Sequence, residues 1–134
     1  MTPTEAQSAL VDHFSAWILD LDLAVEAVST DHVLIRMPLT GRLQRTGGIV
    51  SGQALSALAD TAMVLALAGH VGDFVPAATT DLHCQFLRPG TGPAILARAE
   101  IVRLGRALAF ARAEMTAEET GKTVALASAT LALP

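Results

Sequence analysis

Residues 51–70 read SGQALSALADTAMVLALAGH, and this segment is the main evidence for the architecture of the protein. If the segment is helical, its apolar residues lie on every side of the helix and not in one stripe. This pattern predicts a helix buried in the core of the protein. Ser51 is a typical N-cap residue, and Gly69 is expected to end the helix. Because Asp60 interrupts the apolar run near its middle, we predict a core helix and not a membrane span.

The composition of the chain limits the protein to one globular domain. Of its 134 residues, 51% are hydrophobic and 16% are charged, so a single domain over residues 1–134 is expected. The single cysteine, Cys84, excludes an internal disulfide and a cysteine-rich zinc site. The net charge is −4 and the cations are scattered, which argues against binding of nucleic acid. No targeting pattern opens the chain, which predicts a cytoplasmic protein.

The segments on either side of the long helix predict a short helix and a series of strands. Thr2 and Glu5 have the spacing of a capping box, with Pro3 at the first helical position, so a short amphipathic helix is expected there. Residues 21–37 suggest two short strands and a turn. In the second half of the chain, segments rich in glycine and proline divide the sequence into consecutive strands.

Two patterns in those strands indicate how they pack. Side chains alternate from residue 79 to 86, which predicts an antiparallel strand with one covered face; its faces hold Leu82, Cys84 and Phe86 on one side, and Thr79, Asp81, His83 and Gln85 on the other. Alanines at every second position of the last two strands let the helix approach the sheet closely. We therefore predict an α+β fold in which a long buried central helix is wrapped by a curved antiparallel sheet of five to six strands.

Asp60 is the only ionisable residue between Ser51 and His70, and nearly all of its neighbours are apolar. An unpartnered carboxylate is costly to bury in such surroundings. It is therefore either an interface carboxylate paired with an arginine or a main-chain amide, or a catalytic base or nucleophile in a dry pocket. The sequence alone leaves both interpretations open.

Gly52 lies at the start of the same helix, where free N–H groups and the helix dipole can hold an oxyanion. Eight helical residues separate it from Asp60 by about 12 Å, so one chain does not bring both to one substrate atom. If they cooperate, two such helices must lie antiparallel, which requires at least a homodimer with two equivalent sites. The alternative is that Gly52 only eases the start of the helix.

Two segments together resemble the hotdog-fold acyl-CoA thioesterases of the phenylacetate-degradation (PaaI-like) type. They are GQALSALADTAM at 52–63 and TTDLHCQFLRP at 79–89, supported by a hairpin at 104–106. The resemblance implies hydrolysis of acyl-CoA thioesters to free acid and CoA, with active sites between the subunits of a homodimer or a dimer-of-dimers tetramer. It implies no metal, and no cofactor beyond the coenzyme A of the substrate.

The resemblance also assigns roles to individual residues. Asp60 matches the catalytic carboxylate, which activates the hydrolytic water or attacks the thioester directly. Gly52 matches the glycine whose amide polarises the thioester carbonyl, and Thr79 matches a hydroxyl residue that helps to place the water. The expected contacts with coenzyme A are Arg88, Gly105 and Arg106.

The start of the helix departs from the family motif, which is His-Gly-Gly. This chain has Ser51 in place of the histidine and Gln53 in place of the second glycine. Ser51 either bonds the thioester oxygen or only caps the helix, and Gln53 either supplies a side-chain donor or faces solvent. The departure favours a second hypothesis, in which the protein is a non-catalytic acyl or acyl-CoA binding protein with the same fold.

Two further sets of residues are candidates for smaller roles. Asp81 and His83 share a strand face, which is more typical of a surface than of a catalytic dyad or half of a metal site. Met63, Leu67 and Phe74, together with residues of a partner chain, are expected to form the end of the acyl pocket and to set the preferred acyl group.

Overall fold

The chain folds into three helices and eight strands. The computed structural model describes residues 1–134. The helices are α1 (Pro3–His13), α2 (Ala16–Leu19) and α3 (Gly52–Val71), with a single 3-10 turn at Gly41–Leu43. The strands are β1 (Ala24–Val28), β2 (Val33–Pro38), β3 (Gln44–Arg45), β4 (Ile49–Val50), β5 (Ala78–Phe86), β6 (Ala94–Leu104), β7 (Leu108–Ala117) and β8 (Thr123–Ala132).

Six of the strands form one antiparallel sheet in the order β1-β2-β6-β7-β8-β5, and β3 pairs with β4 separately. The predicted α+β architecture, one long helix against an antiparallel sheet, is confirmed. The order makes β1 and β5 the two edges of the sheet. Because β5 pairs with β8 and not with β6, the strand that follows α3 lies at the far edge from β1.

The core lies between α3 and one face of the sheet. Rows of buried alanines lie on β7 and β8, as predicted, and also on β6. These eight alanines are Ala97, Ala99, Ala109, Ala111, Ala113, Ala125, Ala127 and Ala129. Such rows let a helix pack closely against a sheet. By length and composition α3 could cross a bilayer, but 72% of its apolar stretch is buried in this core.

The ends of the helices follow their sequence signals, with one correction. Thr2 and Glu5 form the predicted capping box: the Glu5 amide donates to Thr2 Oγ1 at 3.1 Å, and the Thr2 amide donates to Glu5 Oε2 at 2.9 Å. The prediction that Gly69 ends α3 is wrong. The helix continues to Val71 and ends at Gly72, whose φ of 98° is left-handed and suits glycine.

Gly69 has a packing role instead. A Cβ atom at this position would lie 2.9 Å from the carbonyl oxygen of Ser29 and 3.1 Å from Val28 Cγ1. These are closer approaches than a side chain tolerates, so the end of β1 packs directly on the backbone of α3. The glycine is therefore needed for a close contact between helix and strand, and not for a turn.

The structure corrects the prediction for β5 in two respects. Neither face of the strand is covered within the chain, since Phe86 is 52% exposed and Leu82 is 38% exposed, although Cys84 is partly buried against the core. In addition, the register with β8 shifts between Thr79 and Asp81. This bulge turns Thr79 toward α3, on the same side as Leu82, and not toward the face of His83.

Candidate functional site

The candidate site lies along a stripe of α3 that the sheet leaves uncovered. The stripe follows helical spacing and borders an open cavity of about 550 Å³, with Gly52, Gln53, Ser56, Ala57 and Asp60 on the helix side. The other walls come from β5 and α2, through Leu82, Phe86 and Trp17. Gly52 and Asp60, the two residues singled out in the sequence, therefore border the same cavity from opposite ends of the stripe.

Asp60 is held in this cavity by Thr79. The Thr79 hydroxyl donates a hydrogen bond of 2.7 Å to Asp60 Oδ1, while Oδ2 has no partner within the chain. The contact depends on the β5 bulge, because unbroken alternation would turn Thr79 away from the helix. The structure thus brings together the two predicted residues, with one carboxylate oxygen fixed and the other free to contact a ligand.

Gly52 opens α3 directly beneath the ring of Phe86. A Cβ atom on Gly52 would lie 3.3 Å from Phe86 Cζ, so the absence of a side chain lets the ring approach the helix start. Its backbone φ is not in the left-handed region, and conformational freedom is therefore not the reason for glycine here. The amides of Gly52 and Gln53 donate to no group in the chain, so the first turn offers free N–H donors to the cavity.

Ser51 is the cap of α3. Its side-chain oxygen accepts a hydrogen bond of 3.1 Å from the Ala54 amide, which confirms the capping interpretation. Ser51 borders a smaller neighbouring cavity together with Arg42, whereas Gln53 is exposed and borders both that cavity and the one that contains Asp60. Of the two residues that depart from the family motif, Gln53 is therefore the one that reaches the candidate site.

Two arginines lie near the start of α3. Arg88 and Arg45 border a cavity of about 380 Å³ that also contacts Gly52 and Phe86. Arg88 is one of the predicted contacts with coenzyme A. Arg45 is not, because the β3–β4 hairpin that brings it to this cavity was not predicted. The two guanidinium groups make this end of the site positively charged, whereas the other end holds the Asp60 carboxylate.

Gly105 and Arg106 lie far from Arg88 within one chain. Both belong to the β6–β7 hairpin, beside Leu108. Leu108 pairs with Ala132 of β8, which on its other side pairs with Ala78 at the start of β5. Arg88 instead follows the end of β5. The structure therefore does not bring together the predicted coenzyme A contacts inside a single chain.

The residues expected at the end of the acyl pocket do not line the cavity. Met63 and Leu67 are fully buried in the core, and the ring of Phe74 stacks on His13 with a centroid distance of 4.0 Å. The apolar walls come from Trp17, Leu82 and Phe86 instead. In the sequence, Trp17 continues the helical spacing of Leu10 and Phe14, which predicts that it packs inward from the first helix. That helix ends at His13, however, and Trp17 is 60% exposed.

The opposite face of the sheet is polar and ion-paired. Glu100 accepts hydrogen bonds from Arg112 and, at 3.4 Å, from Arg98. The hydrogen bond from Arg112 is the main reason that the pKa of Glu100 lies below its usual value of 4.5. His83 contributes to this outer surface, and no three His, Cys, Asp or Glu side chains are grouped there to hold a metal ion.

Comparison with other proteins shows the family of the chain and its fold. The model of the family described as the thioesterase superfamily matches residues 47–124. A Thermoplasma acidophilum protein described as an esterase is 30% identical over 95 residues, which cover 70% of each chain.

Two solved structures illustrate the likeness in fold. The E. coli PaaI protein from the phenylacetic acid degradation operon superposes with a TM-score of 0.83 at 21% identity, covering 100% of this chain and 96% of that one. A hypothetical thioesterase protein of Streptococcus pneumoniae, solved with coenzyme A, superposes with a TM-score of 0.74 at 19% identity, covering 84% and 85%. Together with the family match, they lead to one conclusion: the chain belongs to the thioesterase superfamily and has its hotdog fold.

Proposed function

We propose that the protein is an acyl-CoA thioesterase, which hydrolyses acyl-CoA to a free acid and CoA. The observation that carries the proposal is one open cavity that is bordered both by Asp60, whose carboxylate Thr79 holds, and by Gly52 and Gln53, whose amides are free. Membership of the thioesterase superfamily supports hydrolysis of a thioester. The coenzyme A in the structure of the Streptococcus pneumoniae neighbour supports CoA as the carrier of the acyl group.

The complete site requires two copies of the chain. Near the start of β5, Thr79 contacts Asp60, and at the end of the strand Phe86 contacts Gly52. If two β5 edges pair antiparallel, the Asp60 end of one copy comes to lie beside the Gly52 end of the other. This arrangement resolves the separation of about 12 Å along α3, because each site then takes its carboxylate and its amide from different copies.

The edge of β5 is suited to such pairing. Backbone groups of β8 point alternately to β5 and to β7. The Val124 carbonyl accepts from Leu87 beyond β5, and the Leu133 amide donates to Ala107 before β7. The backbone groups of Leu126, Ser128 and Thr130 therefore point to β5. The backbone groups of Leu82, Cys84 and Phe86 consequently point away from β8, toward the uncovered edge. A homodimer through these groups is the proposed unit, and two such dimers could form a tetramer.

Hydrolysis then follows from the positions of these groups. The Asp60 carboxylate takes a proton from a water molecule, and the water oxygen attacks the carbonyl carbon of the thioester. The carbonyl electron pair moves onto oxygen, which accepts hydrogen bonds from the free amide of Gly52 and from Gln53 of the other copy. The intermediate collapses, the carbon–sulfur bond breaks, and the CoA thiolate takes the proton back from Asp60. Thr79 is proposed to orient the carboxylate and the water.

The arginines provide the proposed contacts with coenzyme A. Arg45 and Arg88 border the helix start at the cavity end where the thioester carbonyl would bind, and guanidinium groups suit phosphate oxygens. In an antiparallel pair of β5 strands, the hairpin with Gly105 and Arg106 belongs to the same end of the shared sheet as Arg88 of the other copy. Both predicted sets of contacts would then serve one molecule of CoA.

The test is release of free thiol from a panel of short, medium, long-chain and aromatic acyl-CoAs. We expect Asp60→Asn to lower kcat/KM by at least a hundredfold, because the amide does not accept the proton from water. Asp12→Asn is the matched control, since it makes the same change on the exposed surface of α1 and should leave turnover unaltered.

The alternative function has its own result in this assay. If neither protein releases thiol from any thioester, while acyl-CoAs raise the melting temperature of both, the protein is an acyl-CoA binding protein and the proposed hydrolysis is wrong. Full activity in Asp60→Asn would also contradict the proposal, because it would remove the carboxylate from the reaction.

A further inference from the structure

The cavity that Asp60 borders also contains an aromatic side chain with no hydrogen-bond partner in the chain. Trp17 is 60% exposed, and its indole N–H donates to no group of the protein. An exposed tryptophan leaves a large apolar surface in contact with water, and tryptophan is enriched at binding surfaces. The backbone that carries Trp17 is anchored, because its neighbour Ile18 and the following Leu21 are buried in the core.

The surroundings of Trp17 define what could bind against it. The apolar part of the cavity is formed by Trp17, Leu82, Phe86 and Ala57. Ser56 adds no free hydroxyl donor, because it donates a hydrogen bond of 2.8 Å to the carbonyl oxygen of Gly52. Free polar groups in the cavity are therefore concentrated at Asp60 and at the first turn of α3, where the thioester group is proposed to react.

The charges that border the cavity within one chain disfavour one class of ligand. No Lys, Arg or His borders it, and its one ionisable group is the carboxylate of Asp60. A second carboxylate on the acyl group would lose water without gaining a cation, and it would approach a like charge. Arginines border the two neighbouring cavities instead. Arg45 and Arg88 lie at the other side of Gly52, and Arg42 lies in the smaller cavity that Trp17 also borders.

From these observations we propose that Trp17 is a specificity-determining residue that packs against a neutral, apolar acyl group and thereby selects it over acetyl and over dicarboxylic acyl groups. The inference rests on the proposed function for the identity of the carrier, CoA. An acetyl group is too short to use the wall, whereas each additional methylene group gains contact with the indole.

Trp17 supplies its own readout, because it is the only tryptophan of the chain and there is no tyrosine. Its fluorescence can be followed with three probes that lack a thioester and are not hydrolysed: S-hexyl-CoA, S-(5-carboxypentyl)-CoA and free CoA. We expect S-hexyl-CoA to shift the emission to shorter wavelength, because the alkyl chain displaces water from the indole. The carboxylated analogue and free CoA should leave the emission unchanged.

Kinetics test the same residue in the reaction. We expect Trp17→Ala to lower kcat/KM for hexanoyl-CoA about tenfold, and for acetyl-CoA less than twofold, because only the longer chain reaches the wall. Trp17→Phe should restore most of the loss, since it keeps an aromatic surface. Val11→Ala is the control, because Val11 is equally exposed but lies on α1, outside the cavity.

The outcomes separate this inference from the proposed function. If S-hexyl-CoA leaves the emission unchanged, or if Trp17→Ala lowers activity on both substrates equally, Trp17 has a structural role and the inference is wrong. If S-hexyl-CoA shifts the emission and no thioester is hydrolysed, the inference holds for binding and the proposed hydrolysis is wrong. If hydrolysis proceeds without any shift, only the inference about Trp17 is wrong.

Discussion

At one edge of the sheet, a side chain of the same chain bonds to the backbone at the start of β1. At the other edge, the outward backbone groups of β5 have no partner in the chain. The Gln7 side chain of α1 accepts from the Val25 amide and donates to the Leu23 carbonyl, each at 2.9 Å. At the start of β1, an amide side chain thus takes the place of the backbone groups of a neighbouring strand. β5 has nine residues, no such cover, and exposed apolar side chains on the side that faces α3.

The two edges show that this fold uses different strands for stability and for assembly. A bare strand edge invites pairing with another chain, and proteins usually protect such edges. Here the edge next to the core helix's Gly69 is protected, and the edge next to the candidate site is not. The site and the uncovered edge coincide, which is the arrangement expected if a second copy completes both.

The largest expected effect comes from blocking the β5 edge. Cys84→Pro removes an amide that points away from β8, so the ladder inside the chain is kept while pairing with a second copy is prevented. We expect loss of the dimer in sedimentation experiments and a fall in thiol release of at least a hundredfold.

The control for this variant is Cys84→Ala, which keeps the amide and should remain a dimer with normal turnover. Circular dichroism must show that the proline variant is folded. A folded Cys84→Pro protein that stays a fully active dimer would contradict pairing through β5.

A second comparison uses the two glycines of α3 that lie under the two edges. Gly69→Ala places a methyl group against the Ser29 backbone carbonyl, which moves only with β1, so we expect a loss of about 2 kcal/mol in the free energy of unfolding. Gly52→Ala meets only the end of the exposed Phe86 ring, so stability should change by less than about 0.5 kcal/mol.

Activity should show the reverse order for the same pair. Gly52→Ala pushes on the ring at the proposed binding position of the carbonyl, and we expect kcat/KM to fall at least tenfold. Gly69→Ala should keep kcat/KM at temperatures where it is folded. Urea unfolding and thiol release measure the two quantities, and equal effects of both variants on both quantities would remove the distinction between the edges.

The smallest expected effect is at the closed edge. Gln7→Ala removes both hydrogen bonds that cover β1, and leaving a partly buried amide and carbonyl without these partners should cost about 1–2 kcal/mol. Urea unfolding measures this loss, and thiol release should be unaltered because β1 lies at the far side of the sheet. An unchanged stability would mean that water replaces Gln7 without cost.

Much of this architecture could be predicted from local sequence signals. The apolar character of residues 51–70 on every side identifies a core helix. Ser51 and the Thr2–Glu5 pair identify helix caps, and the alanine rows identify the sheet face that α3 approaches. These features are predictable because each depends on residues close together in the chain. The position of Asp60 within an apolar helix likewise identified one end of the candidate site.

Other features depend on contacts between distant parts of the chain, and no local sequence pattern predicts them. The bulge beside Thr79 interrupts a regular alternation without a glycine or proline to mark it, so the residue was assigned to the wrong face. The separation of Arg106 from Arg88 follows from strand register, which alternation does not determine. Trp17 reaches the site because α1 ends at His13, and helix ends are the least predictable boundaries.

The uncovered stripe of α3 also has a genetic consequence. Under the proposed arrangement each chain contributes its carboxylate to one site and its helix start to the other. A wild-type subunit paired with an Asp60→Asn subunit therefore keeps one intact site of two, and such a lesion is expected to be recessive. A subunit altered at Asp60 and another altered at Gly52 would likewise complement each other in one of their two shared sites, whereas the same two changes in one chain would leave its wild-type partner without any working site.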